Sequence, residues 1–240
     1  MYEKRNYRDF FKGSNLVYFN VCVEESDLNI GAKTNLEIKS HQAVKSIRKN
    51  IKDYFVENPE FMKSFRPYRC RHGAREIIQR MCCASQKAVV GPMAAVAGAV
   101  SEYTGKELLK YSDEIIVENG GDIFIKTNSL RTVGIYAGKS PLSYKIGIEI
   151  SPEMTPLGIC TSAGTIGHSK SLGKADAATV ISKDTILADA VATALGNRIK
   201  SDKDIESALD YVSKIEGIIG AIVIINDKMG AWGNIKLSRL

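Results

Sequence analysis

The sequence predicts an α+β fold, a mixed α/β architecture in which one domain combines an antiparallel sheet with packed helices. Short runs rich in Val, Ile, Tyr and Phe are separated by Gly, Asn and Ser, as in antiparallel hairpins. Other segments show helical periodicity. The 240 residues, 44% hydrophobic and 25% charged, suffice for a full core. Because residues 1–240 contain no evident linker or repeat, we expect a single domain, or two sub-lobes that share a sheet.

In the first half of the chain, the pattern predicts two strands followed by three helices. Ser40 is expected to cap the first helix, because a hydroxyl there can accept a backbone N–H. Pro92 is expected in the first turn of the third helix, where its missing N–H costs nothing. The predicted strands cover 16–23 and 27–30, and the predicted helices cover 41–56, 74–84 and 92–110.

The second half is predicted to be rich in strands. Gly196 is expected to end the first of its two helices, since glycine commonly follows the last helical turn. The predicted strands cover 114–118, 122–126, 132–136, 145–150, 177–181, 220–225 and 232–237, and the predicted helices cover 186–195 and 205–212.

Composition excludes several classes of protein. No apolar segment reaches the roughly 20 residues that a membrane span requires, and the charged N-terminal residues lack the apolar region of a signal peptide. We therefore expect a cytoplasmic protein without a membrane partner. The five cysteines form no CxxC motif, so we expect reduced thiols rather than a disulfide framework or a zinc site.

The net charge of +6 comes from the first third of the chain, where residues 1–80 contain 16 basic and 10 acidic side chains. Within 63–80, six Lys and Arg residues accompany a single acid, Glu76. This basic segment could bind phosphates, nucleic acid or an acidic protein. It could equally be a solvated face.

A first candidate for chemistry is the turn at 118–122, which lies between two predicted strands. Gly120 and Gly121 permit positive φ angles and close approach of a ligand to the backbone. Asn119 and Asp122 flank them with hydrogen-bonding groups. The alternative is a plain hairpin turn, since Asn-Gly is a favoured hairpin sequence.

A second candidate is the polar segment 158–169, predicted as a loop after a strand. Hydroxyl groups and exposed backbone N–H groups can form an anion-binding cradle. His168 is a candidate for proton transfer, because histidine side chains in general titrate near neutral pH. Cys160 is a candidate nucleophile, although an inert buried thiol is the alternative. The other candidate binding residues in this segment are Thr161, Ser162, Ala163, Gly164 and Thr165.

A third candidate is the pair Asp189 and Thr193 on the predicted helix 186–195. The two residues are four apart and therefore lie on one helical face. A carboxylate and a hydroxyl can supply two oxygen ligands to Mg²⁺, which completes its shell with water and substrate phosphates. The alternative is that Thr185, Asp189 and Thr193 form a narrow solvent-exposed stripe.

Taken together, these motifs resemble the ApbE-like superfamily, which includes transferases that move an FMN moiety from FAD to a Ser or Thr of a target protein. The segments 117–125 (VENGGDIFI), 161–165 (TSAGT) and 188–197 (ADAVATALGN) carry the resemblance. The chain is most similar to an uncharacterised branch of that superfamily, through 90–103 (VGPMAAVAGAVSEY), 136–143 (YAGKSPLS) and 167–181 (GHSKSLGKADAATVI).

The resemblance implies a T-fold-like architecture and a set of site residues. Asp189 and Thr193 would bind Mg²⁺, residues 119–122 would form the turn beside the nucleotide pocket, and Thr161 and Ser162 would match the TSG segment. The chain departs from the transferases after that segment. They carry His-Ile-Asp-Pro-x-Thr-Gly, whereas residues 167–174 read GHSKSLGK and lack the proline and the acid.

Three hypotheses follow. The first is an enzyme that binds FAD, FMN or another pyrophosphate ligand with Mg²⁺ and acts as a transferase, with Asp122 or His168 in proton transfer. The second, implied by relatives associated with anaerobic sulfur incorporation, is sulfur transfer through Cys160. The third is a binding module that uses the basic segment 63–80. A homodimer is expected only because such assemblies are common.

Overall fold

A computed structural model describes residues 15–164 and 172–240 of the chain. Within those ranges it contains strands and helices in a mixed order along the chain. The strands are β1 (Val17–Val23), β2 (Ser26–Ala32), β3 (Ile115–Asn119), β4 (Asp122–Lys126), β5 (Arg131–Gly134), β6 (Ile146–Ile150), β7 (Leu157–Ser162), β8 (Ala177–Ser182), β9 (Ile218–Ile225), β10 (Lys228–Gly233) and β11 (Lys236–Arg239). The α-helices are α1 (Glu37–Glu57), α2 (Pro59–Lys63), α3 (Glu76–Ala88), α4 (Val96–Leu108), α5 (Thr185–Arg198) and α6 (Ile205–Ser213).

Eight strands form one sheet in the order β1-β2-β3-β4-β7-β8-β9-β10. Neighbouring strands in this sheet are antiparallel. The remaining three strands form a second antiparallel sheet in the order β11-β6-β5. The mixed α/β class and the antiparallel pairing expected from the hairpin signals are thereby confirmed.

Two hydrophobic cores lie on opposite faces of the large sheet. On one face the helices cover residues such as Val117 and Val180. On the other face the three-stranded sheet contributes Ile148 to a core with Ile159 and Ile181. Because both faces are covered, the central strands are apolar on both sides instead of alternating. Burying one such side chain contributes roughly 1.5–3 kcal/mol.

Some predicted boundaries differ from the structure. Helix α1 begins at Glu37, so the prediction that Ser40 caps it is wrong; the Ser40 hydroxyl instead donates to the Leu36 carbonyl at 2.9 Å inside the helix. Helix α5 continues past Gly196 to Arg198. The predicted polar loop begins as strand β7, which runs to Ser162.

The predicted last strand over 232–237 is also wrong. Strand β10 ends at Gly233, which has a φ of 103°. The chain then leaves the large sheet, and β11 pairs with β6 in the small one. No helix in the described part of the chain is long and apolar enough to cross a membrane.

Candidate functional site

The turn between β3 and β4 fixes one wall of the candidate site. Gly120 and Gly121 have φ angles of 69° and 104°, and the Gly121 N–H donates to Glu118 Oε1 at 2.9 Å. Two positive φ angles in a two-residue turn match the right-handed twist of a hairpin. The Asn119 amide donates to the Ala97 carbonyl at 3.2 Å, so this turn docks on the beginning of α4.

Strand β7 places Cys160 beside Asp122. The two residues are paired directly across β4 and β7, and side chains at paired positions point to the same face of a sheet. That face carries the helices, because Cys160 belongs to the helix-side core. The Cys160 thiol lies within hydrogen-bonding reach of the Asp122 carboxylate and 3.5 Å from the Thr185 carbonyl oxygen.

Helix α5 brings Asp189 to the same region. Asp184 caps this helix, since its Oδ1 accepts the N–H groups of Ile186 and Leu187 at 3.0 Å each. One turn further, Asp189 is only 8% exposed. Thr185 is fully buried as well. The alternative that these two residues form part of a solvent-exposed stripe is therefore wrong.

Asp189 also caps helix α4 from outside that helix. The residue at the α4 N-cap, Ala95, has no side chain able to accept a hydrogen bond. Asp189 Oδ2 instead accepts the Gly98 N–H at 2.7 Å, and the Ala97 N–H also bonds to this carboxylate. Backbone N–H groups at a helix N-terminus stabilise a negative charge.

Gly98 allows the two helices to approach this closely. A Cβ at this position would lie 2.6 Å from the Thr185 carbonyl oxygen and 2.7 Å from Asp189 Cβ. Either distance is shorter than van der Waals contact. At Gly98, therefore, the small residue predicted near the beginning of α4 allows α4 to pack closely against α5.

The surroundings of Asp122 and Asp189 disfavour a negative charge on both carboxylates at the same time. Burial and then the neighbouring charge of Asp189 raise the pKa of Asp122 well above its ordinary value. Burial raises the pKa of Asp189 to about 7, although the hydrogen bonds from Gly98 and Ala97 oppose the shift. The ion pairs found within residues 15–164 and 172–240 include neither carboxylate. A cation bound between them would relieve this cost.

Cys160 is a poor nucleophile in this setting. Its side chain is fully buried. Burial, followed by the negative charges of Asp122 and Asp189, raises the pKa of the thiol well above its ordinary value. A reactive cysteine needs a thiolate in a positive, accessible environment, so the geometry gives the sulfur-transfer hypothesis no support.

After Cys160, strand β7 continues through Thr161 and Ser162, which pair with β8. The Thr161 hydroxyl lies 2.9 Å from that of Thr179. Ser162, Ala163 and Gly164 are partly exposed, and the Gly164 N–H donates to the Ala175 carbonyl at 2.8 Å. The candidate residues Thr165 and His168 lie outside the described part of the chain.

The structure thus brings Asn119, Gly121, Asp122, Cys160 and Asp189 into one region, although they come from distant segments. Gly120 completes the same turn, and Thr161 adjoins it through its N–H, which donates to the Gly121 carbonyl at 3.2 Å. Thr193 is half-buried one turn beyond Asp189. Its role as a metal ligand remains a prediction.

Sequence reasoning missed Glu102, a buried acid on α4. Glu102 Oε2 accepts the Thr185 N–H at 2.8 Å, while Oε1 is bonded by Arg80 and by Lys106. Arg80 also pairs with Asp184 at 3.1 Å. Its place just after the apolar and small-residue run 93–100 was the available signal.

This network also bears on the hypothesis that the basic segment 63–80 binds a partner. Arg80 is committed to Glu102, and Arg75 lies 3.8 Å from Asp53. The remaining bases of the segment, Lys63, Arg66, Arg69 and Arg71, are exposed. A nucleic-acid or protein contact through the segment remains a prediction.

Comparisons with known proteins identify a matching family model and several similar proteins. A family model described as "AbpE bacteria" matches residues 8–236. The UPF0280 protein of Methanocella arvoryzae is 44% identical over 193 residues, 79% of this chain and 77% of that protein. The UPF0280 protein of Methanococcus aeolicus is 38% identical over 226 residues, 92% of this chain and 91% of that protein.

Among solved structures, the flavin transferase ApbE from Vibrio cholerae matches with a TM-score of 0.59 at 12% identity, over 90% of this chain and 96% of that one. At such low identity, this likeness shows a shared fold.

Proposed function

Because the chain belongs to the "AbpE bacteria" family and has the fold of ApbE flavin transferases, we propose that it binds a flavin nucleotide, or another pyrophosphate ligand, together with Mg²⁺. The observation that carries the proposal is the pair of buried carboxylates, Asp122 and Asp189. They come from different elements, and each raises the cost of charging the other. A divalent cation held by both carboxylates would offset this cost.

The donor set suits Mg²⁺. This ion prefers carboxylate oxygens and keeps several positions for water and substrate phosphates, so two protein carboxylates are sufficient. Asp189 Oδ2 is engaged by Gly98, and we propose Oδ1 as the ligand atom. Thr193 would add a hydroxyl, directly or through water. When bound, the ion would neutralise charge on a pyrophosphate and on its leaving group.

The nucleotide would lie across the turn 119–122 and the segment 161–165. Gly121 and Gly164 bring backbone close to the ligand, and Ser162, which points to the same face of the sheet as Cys160, supplies a hydroxyl group. Hydroxyls and backbone N–H groups together suit a phosphate. FAD or FMN is the ligand that we propose, on the strength of the fold.

For the reaction, we propose transfer of a nucleotide-derived group to a hydroxyl acceptor. The hydroxyl oxygen bonds to one phosphorus of the pyrophosphate, the P–O–P bond breaks, and the other phosphate leaves with the group it carries. The hydroxyl must lose its proton in this step. His168 is the candidate to accept it, because imidazole is the commonest general base in proteins. Asp122 can take that role only in a site where Asp189 and Thr193 hold the metal without it, because a carboxylate bound to a cation loses its basicity.

Isothermal titration calorimetry of the metal-free protein tests the proposal. We expect Mg²⁺ to bind, and FAD to bind at least about tenfold more tightly with Mg²⁺ present than without it, a difference of about 1.4 kcal/mol. Asp189→Asn should abolish the Mg²⁺ effect, because the amide can still accept the α4 N–H groups but carries no charge. Asp227→Asn, at an exposed acid, is the matched control. Absence of both Mg²⁺ and flavin-nucleotide binding to the wild type would overturn the proposal.

A further inference from the structure

Cys70 and Cys82 lie against each other where the segment before α3 packs on that helix. Cys82 is on α3 and only 1% exposed, whereas Cys70 is half-buried in the segment before that helix and packs against the core that contains Cys82. The two side chains are within hydrogen-bonding reach, and the Cys70 backbone N–H also bonds to the Cys82 sulfur. Cys83, the next residue, is exposed.

The segment that carries Cys70 is hydrogen-bonded to neighbouring helices both before and after that residue. Two residues before it, the Tyr68 carbonyl accepts the Gln86 amide of α3 at 3.2 Å. One residue after it, the Arg71 N–H donates to the Tyr54 hydroxyl at 3.1 Å. Cys70 is therefore fixed opposite Cys82 by contacts to two helices.

We propose that Cys70 and Cys82 are a reversible disulfide-forming pair, oxidised by small-molecule disulfides. A disulfide needs two sulfurs that can approach to about 2.05 Å, and the thiols of Cys70 and Cys82 already lie within hydrogen-bonding reach. The geometry selects this pair among the five cysteines, since Cys160 is buried beside Asp122 and Cys22 lies on the edge strand β1.

The chemistry balances through thiol–disulfide exchange. The Cys70 thiolate attacks one sulfur of the external disulfide, forms a mixed disulfide and releases one thiolate. Cys82 then loses its proton to solvent, attacks the Cys70 sulfur and releases the second thiolate. Two protein thiols are oxidised, and one external disulfide is reduced to two thiols.

The order of attack follows from exposure. Cys70 is the accessible partner, whereas burial and the adjacent Cys70 raise the pKa of Cys82 to about 12. Because the resolving step needs the Cys82 thiolate, ring closure should accelerate as the pH rises.

The test uses the full-length chain treated with oxidised glutathione and then alkylated. A Cys83→Ser variant is the working background, so that Cys82 is the sole cysteine in the segment 81–87. We expect the number of alkylated thiols to fall by two, and a disulfide-linked peptide pair containing Cys70 and Cys82. Dithiothreitol should restore the lost thiols.

Cys70→Ser in the same background should retain all remaining thiols or carry glutathione on an exposed cysteine, without an internal bond. Cys22→Ser is the matched control and should still form the bond. A bond from Cys70 to any other cysteine, or stable glutathionylation of Cys70 without closure up to pH 9, would overturn the proposal. The flavin and Mg²⁺ proposal does not depend on either result.

Discussion

Asp189 accepts backbone hydrogen bonds from the first turn of α4 while it lies beside Asp122. Its charge is therefore stabilised from one side and destabilised from the other. Burial is the larger effect, because the pKa of Asp189 rises to about 7. At residue scale, the candidate site is a place where negative charge is costly unless a cation is bound.

This cost makes the stability of the metal-free protein depend on pH. An acid with a raised pKa in the folded state binds protons more tightly than in the unfolded chain, so its charge destabilises the fold as the pH rises. We expect the free energy of unfolding to fall between about pH 4 and 7 in the presence of EDTA. The contribution of Asp189 should be on the order of 2–4 kcal/mol.

Urea denaturation of the wild type and Asp189→Asn at several pH values measures this effect. The variant should show a flatter dependence over the same range, because one titrating group is removed and Asp122 loses its charged neighbour. Asp227→Asn should follow the wild type. Parallel curves for the wild type and Asp189→Asn would contradict the expectation.

Gly98 allows a second prediction at this scale. In an open helix, Gly→Ala stabilises by about 0.5–1 kcal/mol. At Gly98 the added methyl group would collide with Thr185 and Asp189, so Gly98→Ala should destabilise by about 1–3 kcal/mol. Thermal or urea unfolding would show whether Gly98→Ala is less or more stable than the wild type. A stabilised variant would refute the close packing of α4 on α5.

At the scale of elements, the start of α5 is held by a buried network. Burial alone would raise the pKa of Glu102, but the bonds from Arg80 and Lys106 outweigh it and lower that pKa. Glu102 also accepts the first N–H of α5, one turn before Asp189. The network therefore fixes the position of the first turn of α5. Because Asp189 lies one turn later on the same helix, the network also positions its carboxylate relative to Asp122.

Glu102→Gln should destabilise the protein by about 3 kcal/mol, because it leaves Arg80 half-buried with a weakened partner. Lys106→Ala removes an exposed partner of the same carboxylate and should cost less than about 1 kcal/mol. Urea unfolding of the two variants compares them directly. Equal losses would contradict a buried network centred on Arg80 and Glu102.

Sequence reasoning succeeded where the signal was local. The Gly120 and Gly121 turn identified β4 with its correct bounds, since turn chemistry and β-branched residues agree there. It failed for the start of α1, where the N-cap residue Leu36 has no capping side chain and Asn35, one residue earlier, accepts the Glu37 N–H at 2.9 Å. The proximity of Asp189 to Asp122 could not be derived, because 67 positions separate them in the sequence and their relative position depends on sheet register and on the packing at Gly98.

At the scale of the whole molecule, Glu114 links the two sheets. It lies just before β3 of the large sheet and pairs with Arg131 of the small sheet at 2.9 Å; Lys33 also bonds to it. Burial opposes ionisation, but the hydrogen bonds from Lys33 and Arg131 outweigh it and lower the pKa to about 2. The predicted order of strands along the sequence did not indicate this contact between the two sheets.

A lowered pKa stabilises the fold above the unfolded-state pKa near 4.5, and this stabilisation is lost as the pH falls towards 2. Glu114→Gln should therefore cost about 3 kcal/mol near pH 7 and much less near pH 2. Glu107→Gln, at an exposed acid, is the control. A pH-independent difference between Glu114→Gln and the wild type would contradict this reading.

The most direct test of the central claim is a crystal structure of the protein with Mn²⁺ in place of Mg²⁺ and with FAD. Manganese has a strong anomalous signal and similar preference for oxygen ligands. We expect an anomalous peak that contacts carboxylate oxygens of both Asp122 and Asp189, with the pyrophosphate beside the turn 119–122. Bound nucleotide with no metal at these two carboxylates, or a metal held elsewhere, would contradict the account.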